Sequence, residues 1–181
     1  MAGQETERVY DELLVTLARS GNARAANRLA ARWYPRLMRT ALRLLRDRNE
    51  AEEAVQEAWA GICRGWPRLS DPAMFPGWAF GILRRKCSDR IRAAQTARTR
   101  SAPIEAAPEP SEPARGELQV EIDQALATLS DDHRLAAILF FGEGLSLNEI
   151  AAVTGVPIGT AKSRIFHARQ HLKSRLKGES E

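Results

Sequence analysis

With 181 residues, the chain has room for one compact domain or two small ones, and its 44% apolar content suffices for modest globular cores. The 27 Lys and Arg against 23 Asp and Glu leave a net +4, too small a surplus by itself to name a polyanionic partner. No apolar run approaches the roughly 18 residues needed to cross a bilayer, and the polar N-terminus lacks the basic-then-apolar order of a signal peptide, so no membrane insertion and a cytoplasmic location are expected.

From Asn22 to Leu45, apolar residues recur at Ala26, Leu29, Ala30, Trp33, Leu37, Ala41 and Leu44, which is helical spacing. Pro35 interrupts the pattern, and the expectation is one helix ending near Trp33 and another beginning near Pro35. Next, Asn49 and Glu52 have the spacing of a capping box. The helix that follows buries Ala51, Val55, Ala58, Trp59, Ile62 and Trp66 and gathers Glu50, Glu53 and Glu57 on another face. Like charges at this spacing repel by a few tenths of a kcal/mol per pair, so the face is either simply solvated or a docking surface.

After a turn at Ser70-Asp71-Pro72, a long helix is expected with Phe75, Trp78, Ala79, Ile82, Leu83 and Ile91 inward and Pro76 in its first turn. Its later part is basic, with Arg84, Arg85, Lys86, Arg90 and Arg92. Cys63 and Cys87 are the only thiols and both fall in apolar helical patterns, which predicts reduced, buried side chains. From Ala94 to Gly116 the sequence contains four prolines and almost no large apolar residues, the composition of a flexible linker. Helical patterning resumes near Glu117 with Leu118, Ile122, Leu126 and Leu129, then Leu135, Ile138, Leu139 and Phe140. The expected fold is all-α, with two small helical domains at 1–93 and 117–181 joined by a flexible linker at 94–116.

The segment SLNEIAAVTGVPIGTAKSRIFHARQHL is the most informative stretch. Ser146 and Glu149 form a capping box for a short helix, Gly155 suits the tight turn, and Pro157 can start the next helix. In that helix Ala161, Ile165, Ala168, Leu172 and Leu176 mark the buried stripe. Lys162, Arg164, Arg169, Lys173, Arg175 and Lys177 bring six basic residues and no acid to the stretch from Pro157 to Lys177. A capped short helix, a glycine turn and a basic second helix make a helix-turn-helix, whose second helix reads base edges in a major groove. Thr160, Lys162, Ser163, Arg164 and His167 are the readout candidates, with Lys173 at the phosphates. Groove orientation decides whether Arg164 reaches a base or a phosphate.

On these residues the chain resembles the extracytoplasmic-function (ECF) subfamily of bacterial sigma factors. DRNEAEEAVQEAW and FPGWAFGILRRKCSDRIR carry the likeness in the first half, and LSLNEIAAVTGVPIGTAKSRIFHARQHL carries it in the second. The resemblance implies that residues 10–93 engage bacterial core RNA polymerase and melted −10 promoter DNA, and that residues 117–177 recognise the duplex −35 element. It assigns Glu50, Glu52, Glu53, Gln56 and Glu57 to the polymerase and Arg84, Arg85, Lys86 and Arg90 to the −10 promoter. It also implies an anti-sigma protein as a partner.

The sequence departs from the family pattern at several positions. Glu50 and Glu53 replace aspartates, Arg85 stands where Asn is common, Ser130 where Pro is common, and Ala161 where Val is usual. His133, His167 and His171 lack the spacing of a metal set, and no catalytic triad or glycine-rich phosphate loop is present, so neither a metal, a cofactor nor an enzymatic activity is expected. The alternative functions are a stand-alone helix-turn-helix transcriptional regulator and a helical module whose basic face binds an acidic protein.

Overall fold

The computed structural model describes residues 2–100 and 117–176, and all of their regular structure is helical, as expected. Helix α1, Ala2–Arg19, buries Leu14, Val15 and Ala18 on one face. Asn22 then caps α2, Ala23–Leu45, its side chain accepting from the Ala25 amide at 3.1 Å. The break expected at Pro35 is absent, for α2 runs through it as one helix. Leu29, Trp33, Leu37 and Ala41 are fully buried on both sides of the proline and in one phase. Burial at about 1.5–3 kcal/mol per large side chain outweighs the roughly 3 kcal/mol cost of an internal proline.

Helix α3, Arg48–Gly65, starts earlier than the Asn49 cap predicted for it. Asp47 caps it instead, accepting from the Glu50 amide at 2.9 Å. An Asp caps as well as an Asn and also sets a full negative charge at the positive end of the helix dipole, so it prevails over the Asn two residues on. Two short 3₁₀ turns, Trp66–Arg68 and Pro72–Met74, lead to α4, Phe75–Arg100. Residues 94–100, expected in the linker, continue this helix. They contain neither proline nor glycine and are rich in good helix formers. The rest of the expected linker, 101–116, lies outside the described residues, as do 177–181.

The second region comprises α5, Glu117–Ala127; α6, Asp131–Ala137, opening into a π-helical turn at Ile138–Gly142; α7, Leu147–Thr154; and α8, Ile158–Leu176. Both halves of the Ser146–Glu149 capping box are made, and Gly155 ends α7 at φ 70°. A Cβ at Gly155 would meet nothing, so Gly155→Ala tests the backbone alone. It should cost about 1 kcal/mol, read as a lower thermal midpoint, because an L-residue is strained at that φ.

The two regions share one apolar cluster. Trp33 lies edge-on to Phe75 at 4.8 Å and near Phe80 at 5.6 Å, and the cluster around them takes in Leu135, Leu139, Leu145, Ile150, Val153, Ala161 and Ile165. A polar seam borders it. Arg36 Nε donates to Glu143 Oε2 at 2.9 Å and Thr40 Oγ1 to Glu143 Oε1 at 3.3 Å, and the Glu143 side chain is only 2% exposed. Arg8 of α1 reaches the Gly144 carbonyl at 3.0 Å and Glu149 at 2.9 Å, Arg43 pairs with Asp123 at 2.9 Å, and Arg84 donates to the Val153 carbonyl at 3.2 Å.

Candidate macromolecular interfaces

Helix α8 inserts Ala161, Ile165 and Ala168 into the core and leaves Thr160, Lys162, Ser163, His167 and Lys173 exposed, the division predicted for a reading helix. Leu176, expected on the buried stripe, is 46% exposed, because the small cluster beneath α8 ends at Leu172. Arg164 is half-buried and forms an ion pair with Asp132 at the start of α6. Its guanidinium is therefore oriented by a contact within the protein itself.

The chain's three histidines line one open hollow of about 520 Å³ with Thr128, Leu129 and Ser130. Thr128 Oγ1 lies 2.7 Å from His171 Nε2, Ser130 Oγ lies 2.7 Å from His133 Nδ1, and the His133 and His167 rings are 6.1 Å apart. Among the described residues, no group of His, Cys, Asp and Glu has the arrangement of a metal site. Burial pushes the Cys87 thiol up to about 12 and also raises that of Cys63, which is half-buried rather than buried; both are free.

On α3, Glu50, Glu53, Gln56 and Glu57 are exposed and Glu52 is half-buried in an i,i+4 pair with Arg48 at 2.9 Å. Three of these acids converge on a single side chain of α4. Arg90 Nη1 donates to Glu50 Oε2 at 2.7 Å and Glu53 Oε2 at 2.9 Å, and Arg90 Nη2 donates to Glu57 Oε1 at 2.7 Å. Lys86 Nζ lies 2.8 Å from Glu57 Oε2. Hydrogen bonds from Lys86 first and Arg90 second hold the Glu57 carboxyl below its ordinary range.

The residues expected at the −10 promoter thus have different surroundings. Arg85 is exposed, Arg84 is half-buried under α7, and Lys86 and Arg90 are engaged with α3. Phe75 is fully buried and Trp78 half-buried against the core, so both anchor α4 rather than stand ready for stacking.

Several side chains that shape these surfaces were not legible as such. Asp132 carries a signal, since an acid in a helix's first turn is a common start mark, but nothing local joins it to Arg164, 32 residues away. Arg8, Asp11 and Glu143 carry none. Asp11, 3% exposed, accepts from Arg32 Nε at 2.8 Å and lies 3.6 Å from Arg36. Glu149 does double duty as cap and seam: burial works to raise its carboxyl, but hydrogen bonds from Ser146 and Arg8 prevail and lower it.

Comparison with known proteins places these features in a family. Residues 29–97 match Sigma-70 region 2 and residues 119–172 match Sigma-70, region 4. The ECF RNA polymerase sigma factor SigM of Mycobacterium tuberculosis is 32% identical, with 97% of this chain and 88% of that protein covered. SigE of Mycolicibacterium smegmatis is also 32% identical over 78% of this chain, which spans 57% of that longer protein. Among solved structures, the sigma factor RpoE of Bartonella quintana, crystallised with the anti-sigma factor NepR, superposes with a TM-score of 0.70 at 27% identity, covering 85% of this chain and 98% of that one. With both sigma regions present in order and a near-full-length relative above 30% identity, the chain belongs to the ECF RNA polymerase sigma factors, non-enzymatic proteins that direct transcription initiation.

Proposed function

We propose that this chain binds bacterial core RNA polymerase through the acidic face of α3, carries it to promoters by placing α8 in the −35 major groove, and helps to open the −10 element with the basic side of α4. The observation that carries this reading is α8. Its buried stripe of Ala161, Ile165 and Ala168 leaves Thr160, Lys162, Ser163, His167 and Lys173 outward on a rigid helix whose N-terminus is presented by the Gly155 turn. Glu50, Glu52, Glu53, Gln56 and Glu57 form the polymerase face, and Arg85 offers the −10 element an exposed cation. Arg84 joins it once α7 leaves α4. A first domain that extends through the end of α4 at Arg100 and a second that starts at Glu117, joined by residues 101–116, allow that separation. The likeness to a sigma factor crystallised with an anti-sigma factor supports such a protein as a further partner, and a role on bacterial polymerase puts the site of action in the cytoplasm.

Initiation from a cognate promoter should be absent with core polymerase alone, appear when the full chain is added, and disappear when the template's −35 element is scrambled. A chain that bound its duplex equally well without polymerase, and left initiation unchanged, would instead be a stand-alone helix-turn-helix regulator.

A further inference from the structure

The resemblance assigns Arg90 to promoter DNA, but its surroundings are those of a half-buried countercharge. Its side chain is 17% exposed, whereas those of Glu50, Glu53 and Glu57 are 50%, 64% and 49% exposed, so the carboxylates stand between the guanidinium and solvent. Three carboxylates against Arg90 and Lys86 leave the cluster at net −1. A DNA phosphate approaching Arg90 would meet that negative rim first and would have to displace charge-assisted hydrogen bonds of 2.7–2.9 Å.

We infer that Arg90 is a positioning residue for polymerase docking: it gathers Glu50, Glu53 and Glu57 into one fixed acidic surface and does not itself contact DNA. The inference rests on the assignment of the α3 acids to the polymerase. Acids one turn apart repel and would splay along α3 if left alone. The forked guanidinium has donors enough to hold one oxygen from each of them. It takes Oε2 of Glu50 and Oε2 of Glu53, which leaves Oε1 of each, on side chains 50% and 64% exposed, to accept from a basic partner surface. Lys86 and Arg90 together occupy both oxygens of Glu57, so Glu50 and Glu53 are the acids with acceptor capacity to offer. Fixing them before encounter removes side-chain ordering from the cost of docking.

The test uses the full chain with core polymerase and, separately, a −10 fork-junction DNA with the assembled holoenzyme. R90Q should weaken core-polymerase binding roughly tenfold, the size of coupling seen between contacting charged groups. R90K, which restores the charge but not the fork, should recover part of that loss. In a background where Glu50, Glu53 and Glu57 are all replaced by Gln, R90Q should have no further effect on polymerase affinity, and at matched holoenzyme occupancy it should leave fork-junction affinity unchanged. Circular dichroism checks that each variant is folded, and R90K serves if R90Q is not. The inference is overturned if R90Q binds polymerase as the parent does while the triple Gln chain does not, or if R90Q weakens fork-junction binding at matched occupancy. A triple Gln chain that binds polymerase undiminished overturns the docking assignment itself, and this inference with it.

Discussion

Replacing Glu143 with alanine should lower the unfolding free energy by about 2 kcal/mol, and the thermal midpoint by roughly 4–8 °C, while loosening the second region from the first. Removing one partner of a well-buried ion pair can cost about 3–5 kcal/mol when the other charge is stranded. Arg36 is not fully stranded here. It remains 27% exposed, retains Asp11 at 3.6 Å and stacks over the Trp33 ring at 4.1 Å, which places the expected cost below that range. Thr40, 1% exposed, would lose Glu143 Oε1 as its acceptor across the seam. Glu143→Gln keeps a side-chain oxygen for Thr40 and should fall between the parent and Glu143→Ala. Calorimetry measures the stability, and small-angle scattering measures whether the molecule expands. Unchanged values in both would show that the Glu143 contacts with Arg36 and Thr40 do not hold the second region against α2.

Neutralising Lys162, Arg164 and Lys173 together, each to Gln, should weaken binding to a −35 duplex roughly a hundredfold near 0.1 M salt and reduce the slope of log affinity against log salt by about two. Each phosphate contact releases about 0.9 of a counterion, so three full contacts set the upper limit. Arg164 contributes less than a free cation because Asp132 already neutralises it in the protein. Asp132→Asn should therefore raise nonspecific DNA affinity modestly and steepen its salt dependence, since it releases that arginine. Titrations at several salt concentrations, with the fold checked by circular dichroism, decide the matter. An unchanged slope in a folded triple variant would remove α8 from the DNA interface.

The readings that held were local ones. The Ser146–Glu149 box, the Gly155 turn and the burial of Ala161, Ile165 and Ala168 each depend on residues within a turn or two of one another, and the sequence displays both partners side by side. The misreadings arose where two local signals competed or a distant surface intervened. At the start of α3, Asp47 and Asn49 were both adequate caps and charge chose between them. At Pro35, a local helix breaker met the core formed by Trp33, Phe75 and Phe80, and the core prevailed. Helix α1 was not anticipated as an element, since its exposed Val9, Leu13 and Leu17 blur the stripe formed by Leu14, Val15 and Ala18.

The chain by itself determined an all-helical fold, a second region built around a helix-turn-helix, and the face of α8 that carries Lys162 and His167. Those follow from 3.6-residue periodicity, capping chemistry and the φ of one glycine, all of them short-range. Tertiary structure alone decided that Arg90 serves the acids of α3 from 33 to 40 residues away, that Glu143 is closed in by Arg36 and Thr40 more than 100 residues before it, and that α7 covers Arg84. Side-chain charges have no sequence periodicity that names their partners. Which ones meet is fixed by how the buried apolar stripes of separate helices stack, and the polar groups at the rim take the pairings that the stacking leaves within reach.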